Sequence, residues 1–267
     1  MSRDPTSSEL SDGRHSQPPS VPTLGRTCRL IREQRGISRD TAAARLKVSR
    51  SYLADIERDR RTPTEEFLEH IIIGYQLDAT LARHLRELRT AAIDLEPTVV
   101  LHKAVTANSA LMAHLHERRD LAAYIDPAWT VLACNDAFRH AGPGLGPGVS
   151  IPVWTFSDDA KRQLPNWSYE ADHMVGLIRG FVGRYRGSEQ VQSIFRHLRP
   201  VTEFRTRWND GVHPAYGRDP SELAKIHHPV TGSTASYSIT ITHQSEDVIL
   251  FALSEHCTKA ADSPDTE

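Results

Sequence analysis

Long apolar runs are missing from this 267-residue chain. The nearest, residues 70–75 (HIIIGY), falls far short of the ~20 residues that a membrane-spanning helix needs. Cysteine is scarce: three residues, none closely spaced, provide neither a thiolate metal clip nor a disulfide framework, and a reducing cytoplasm is the expected setting. The motifs of common chemistry are missing too. There is no HExxH, no paired CxxC, no G-x-S-x-G and no phosphate loop, and residues 142–148 (GPGLGPG) lack the strand-to-helix setting of a nucleotide fingerprint. Fourteen histidines do not change this. His114 and His116 stand two apart on a predicted helix, and His227 and His228 are adjacent in a strand-like stretch, so neither pair shares a face. Neither catalysis nor metal binding is expected. No secretory signal opens the chain; residues 1–22, polar and rich in serine and proline, are expected as a disordered arm, and residues 259–267 as a disordered tail.

What is present is a helix pair in residues 37–57, ISRDTAAARLKVSRSYLADIE. Ser38 and Ser49 are expected N-caps, since each hydroxyl can take an orphan backbone N–H. Ala42, Ala43 and Leu46 form a small apolar face that Val48, Leu53 and Ile56 continue after a tight turn. Small alanines permit two helices to cross steeply at close range. Arg50, Ser51, Tyr52 and Asp55 remain outside, near the N-terminal end of the second helix, where a recognition helix meets base edges. Charge agrees with this reading. Residues 24–61 hold eleven Lys and Arg against five Asp and Glu, a local excess of six positive charges in a chain of net charge −2. Such a basic module is the footprint of phosphate contact.

Residues 24–77 resemble the phage-repressor-like (Xre/Cro) helix-turn-helix domain, an all-α unit of five helices, with residues 23–92 as its expected extent. LGRTCRLIREQRG supplies the first helix, with Leu24, Cys28 and Ile31 inward; RRTPTEEFLEHIIIGYQL supplies the fourth, capped by Thr64, and DATLARHLRELRTAA the fifth. The resemblance implies that Arg50 and Ser51 read bases, Arg50 by a bidentate bond to guanine, with Asp55 one turn further along. Arg39, Ser49, Tyr52, Arg58, Arg60 and Arg61 are expected at the DNA backbone, Tyr52 being equally readable as packing. Arg32 and Glu57 match a pair that forms an internal ion bridge in the family. Two departures stand out. Lys47 and Asp59 occupy positions where the family commonly has glycine, and a positive φ there costs a non-glycine residue about 1 kcal/mol.

Beyond Ala92 the pattern changes. Residues 93–104 read as a linker, with Pro97 interrupting helix, and a helix carrying Leu111, Met112 and Leu115 follows. LAAYIDPAWTVLACN reads as two strands joined at Asp126–Pro127, NDAFRHAGPG as a short helix closed by glycine, and residues 158–198 as a long helical tract. TASYSITIT alternates strictly, placing Tyr237, Ile239 and Ile241 on one face, before the buried strand VILFALSEH. That order predicts an α+β domain with an antiparallel sheet over residues 105–258.

YIDPAWTVLACNDAF resembles the opening of a PAS domain, and PVWTFSDDAKRQLPNW, VTEFRTRW and IHHPVTGSTASYSITI resemble the C-terminal ligand-binding domain of MmyB-like regulators, an actinobacterial family. One departure is NDGVHPAYGRDPSELAKI, longer and more polar than the expected link. The resemblance implies a non-enzymatic transcription regulator that binds a double-stranded operator and holds a fatty-acid-like ligand, with a homodimer on two half-sites as the expected assembly. From the residues themselves, Trp154, Phe156, Trp167, Phe204 and Trp208 concentrate aromatic area suited to pocket walls, and Arg162, Arg205 and His228 are candidate anchors for a carboxylate. The same aromatics are equally readable as core, and the domain as a dimerisation or protein-interaction module without a small molecule.

Overall fold

The computed structural model describes residues 18–228 and 231–256. Residues 1–17 of the expected arm and the expected tail lie outside the described residues. The chain begins with α1 (Leu24–Gln34), α2 (Arg39–Arg45), α3 (Arg50–Glu57), α4 (Glu65–Gly74) and α5 (Ala79–Arg89). Every one of these helices starts at a residue whose side-chain oxygen accepts a first-turn backbone N–H: Thr23, Ser38, Ser49, Thr64 and Asp78. Leu24, Cys28 and Ile31 of α1 pack in one core with Leu53 and Ile56 of α3 and Leu85 of α5. Lys47 and Asp59 do take positive φ, 55° and 56°. Asp59 offsets its strain: its carboxylate accepts from the Gly25 N–H at 2.8 Å and from the Thr23 hydroxyl at 2.5 Å, which ties the end of α3 to the start of α1.

The second half is α+β. α6 (Thr98–Ala107) and α7 (Ser109–Glu117) lead into β1 (Leu121–Ile125) and β2 (Val131–Cys134). Then come α8 (Asp136–Ala141), α9 (Ile151–Thr155), α10 (Asp158–Gln163), α11 (Trp167–Tyr185), α12 (Glu189–Leu198) and α13 (Thr202–Asp210). β3 (Ala224–His227), β4 (Thr234–His243) and β5 (Ile249–Glu255) complete a five-stranded antiparallel sheet of order β2–β1–β5–β4–β3. Alternation in β1 serves two layers. Ala122 and Tyr124 face Leu101, Val105 and Leu115 of α6 and α7, whereas Ala123 and Ile125 face the larger core of α8–α13. Among the described residues no helix is long and apolar enough to cross a membrane.

Three expectations need correction. Residues 93–104 are not all linker: Pro97 does not interrupt a helix but precedes α6, whose Leu101 and Val105 are buried against the sheet. A proline is tolerated at a helix start because no N–H is needed there. The tract 158–198 is three helices, separated at Pro165 and at Gly187. Residues 19–22 are packed: Pro19 is buried and its carbonyl accepts from Arg199 Nε at 3.1 Å, while Val21 lies against the core of the second half.

The two halves meet where α5 lies on α11. A Cβ on Gly183 would sit 2.9 Å from the Glu87 carboxylate and 3.0 Å from His84 Nδ1, so glycine sets this approach. Arg186 donates to the carbonyls of Glu87 and Thr90, and Ile93 N–H to Arg184 O at 2.9 Å. His84 is 1 % exposed in this junction. Burial first, and then Arg179 and Arg186, lower its pKa from 6.5 to about 4. Between those values the unfolded chain binds more protons than the folded one, so stability is full above the upper value and falls as pH drops through the interval. The wild type is expected to lose about 2 kcal/mol more than His84→Gln between pH 7 and pH 5, read from urea unfolding. Equal pH dependence in the two proteins would contradict this.

Candidate functional site

Two sites emerge, a basic surface on the helical module and a cavity in the α+β domain. On the first, the caps and the Lys47 turn present the start of α3 to solvent. Arg50 is exposed, its Nε 3.2 Å from Asp40 Oδ1, an ion pair that holds the guanidinium at the helix tip. Ser51 is exposed, its hydroxyl 3.1 Å from that of Ser49. Asp55 is half-buried, 4.0 Å from Arg60. Arg58, Arg60 and Arg61 are exposed beyond the helix. Tyr52 packs edge-on against Phe67 at 5.2 Å, with the Arg61 guanidinium 5.2 Å above its ring, so it belongs as much to packing as to the surface.

Arg39, expected at the DNA backbone, is half-buried. Its Nε donates to Glu57 Oε2 at 3.1 Å, joining the buried bridge in which Arg32 donates to both Glu57 oxygens at 2.5 and 3.0 Å. Burial opposes the Glu57 carboxylate, but the bonds from Arg32 and Arg39 outweigh it and hold its pKa below the ordinary value. Arg32 also donates to Ile37 O at 2.9 Å, so one guanidinium ties α1 to α3 and to the start of the α2 segment. Glu57→Ala would leave Arg32 buried without its bidentate carboxylate, and should cost about 3–5 kcal/mol in chemical unfolding. A loss below about 1 kcal/mol would show that the bridge contributes little.

The cavity, about 120 Å³, lies between the sheet and α11. Its walls are Trp129, Phe138, Trp154 and Leu177, over a floor of Ile239 and Phe251. Trp129 has φ 66°, the left-handed region, and its indole lies 5.4 Å from the Phe251 ring; strain of this kind gathers where a ligand is clamped. At the polar end stand Glu170, His173 and Arg218. Arg218 pairs with both Glu170 oxygens, and the two side chains are only 9 % and 12 % exposed. Asn166 donates to Glu170 at 3.2 Å. Burial, then the Arg218 charge, lowers the His173 pKa below its ordinary value.

Of the expected pocket residues, Trp154 alone lines this cavity, with its indole N–H bonded to Pro143 O at 2.8 Å. Phe156, Trp167, Phe204 and Trp208 instead interlock with one another and with Phe195 as core, at centroid distances of 5.0–6.3 Å. Phe204 and Trp208 share one face of α13 at helical spacing, which buries them together. Arg162 is exposed on α10 and pairs with Asp159, Arg205 is half-buried on α13, and His228 is exposed in the β3–β4 turn, accepting from Thr231 N–H. None of these three lines the cavity. The residues that do supply its polar end had one faint signal: Glu170 and His173, three apart, share a face of α11.

Comparison with known proteins gives two family matches. Residues 107–263 match the MmyB-like transcription regulator ligand binding domain, and residues 23–85 match a helix-turn-helix domain. The chain is also similar to the immunity repressor protein of Bacillus phage phi105, 41 % identical over 59 residues. That match covers 21 % of this chain and 41 % of the repressor, so it bears on the helical module alone.

Proposed function

The chain belongs to the MmyB-like transcription regulators, and we propose that it binds a specific operator as a homodimer and responds to an amphipathic carboxylic acid held in the α+β domain. Its helix-turn-helix domain makes it a DNA-binding regulator, and its second domain is a ligand-binding one; these families are non-enzymatic. The reading of the ligand rests on a single observation: the apolar cavity ends at Arg218, a cation paired with one carboxylate in nearly dry surroundings. Apolar walls take an alkyl body, and a guanidinium takes a carboxylate bidentately.

On DNA, Arg50 swings from Asp40 to a guanine edge, with Ser51 and Asp55 beside it. Ser49, Arg58, Arg60 and Arg61 hold phosphates, and two copies read half-sites about one helical turn apart. Once an operator is selected from random duplexes, Arg50→Ala should lose ten- to a hundredfold in affinity for it, about 1–3 kcal/mol, while general salt-sensitive binding persists. Full operator specificity in that variant would sink the base-reading role. For the ligand, native mass spectrometry of the purified chain should show a mass that organic extraction releases as a carboxylic acid. A chain that carries nothing, and takes up nothing from dodecanoate, would favour an interaction module with no small molecule.

A further inference from the structure

The polar stretch that departs from the family pattern, residues 209–226, contains a strap, Gly211–Arg218, that touches the core and α5 of the helical module at one end and the cavity at the other. Val212 is buried in the core of the helical module. Arg179, itself buried, fixes the start of the strap by donating to Trp208 O at 2.5 Å and Gly211 O at 2.7 Å. The middle lies in a groove of α11: Ala215 N–H donates to Gly176 O at 2.8 Å, and a Cβ on Gly180 would meet Ala215 O at 2.1 Å. Next comes Tyr216, whose hydroxyl donates to Glu87 of α5 at 2.7 Å and whose ring lies 3.7 Å beneath the Arg83 guanidinium. Two residues later Arg218 closes the ligand cavity against Glu170.

We propose that this strap couples the cavity to the DNA-binding module, a step that rests on the ligand reading above. A carboxylate entering the cavity competes with Glu170 for Arg218. One guanidinium in an apolar mouth cannot serve two ionised carboxylates as well as one, so Glu170 or Arg218 gives way. Arg218 is two residues from Tyr216, and the groove on α11 leaves the strap no slack at Ala215. Displacement at the cavity is therefore transmitted to the Tyr216–Glu87 bond and to α5. The two domains are linked by a lever whose one end is the ligand's counter-ion and whose other end is a helix of the DNA module.

The test is hydrogen–deuterium exchange on the full chain, read at residues 79–89 and 211–218. Dodecanoate should alter exchange at both segments about tenfold, and dodecan-1-ol, which lacks the charge, should alter neither. Tyr216→Phe should bind dodecanoate within about twofold of wild type yet lose the response at 79–89. Glu170→Gln frees Arg218 without any ligand and should by itself raise exchange at 79–89. Wild type that binds dodecanoate with no response at 79–89 would overturn the coupling and leave the ligand reading standing. If dodecanoate does not bind, a response to Glu170→Gln keeps the strap as a coupler and rejects the ligand class, and no response rejects both. Near-ultraviolet circular dichroism separates any of these results from misfolding, and Tyr216→Phe, a loss of one oxygen, guards against it.

Discussion

Backbone contact along one face of α11 is the constraint on which the rest depends. Gly176, Gly180 and Gly183 interrupt a 19-residue helix, and glycine in a helix interior costs about 1 kcal/mol each relative to alanine. That cost is offset only where something comes closer than a Cβ allows. Here α5 and the strap do so, on the same helix that carries Glu170 and His173 into the cavity. The helical module is thus seated on the element that lines the cavity, and residues 18–22 add a second tether through Pro19 and Arg199.

Arginine is used in two ways that burial separates. Arg50, Arg58, Arg60 and Arg61, proposed to meet DNA, are exposed. Arg32, Arg179 and Arg218 are mostly buried, each satisfied by fixed oxygen acceptors, and each joins parts of the chain distant in sequence. Burying a guanidinium is tolerated only with such partners, which also makes these three positions intolerant of change. At Arg218 the ionic partner is the single carboxylate of Glu170.

How much of this was legible in the sequence depended on whether the signal was local. Caps at Ser38, Ser49 and Thr64 and the β1–β2 pair with its Asp126–Pro127 turn follow from short-range chemistry, whereas the left-handed positions at Lys47 and Asp59 follow from the resemblance, where the family has glycine. Pro97 did not, because proline either breaks a helix or begins one, and only burial of Leu101 and Val105 decides which. The pocket failed for a related reason: Phe204 and Trp208 have the composition of a wall and the spacing of a core, and the spacing won. Arg218 and Trp129 carried no local mark, since one acts through a fold-distant carboxylate and the other through an unfavourable φ. Asp59 was readable as a departure but not as a cap, because Gly25 is 34 residues away.

That the two modules behave as one body is tested most directly by differential scanning calorimetry of the full chain. A single transition, with calorimetric and van't Hoff enthalpies equal, is the predicted result. Gly180→Leu, which forces the strap out of its groove, should split that transition in two. Two separate transitions in the wild-type protein would contradict it, and would mean that the contact between α5, the strap and α11 is too weak to join the DNA-binding surface to the cavity.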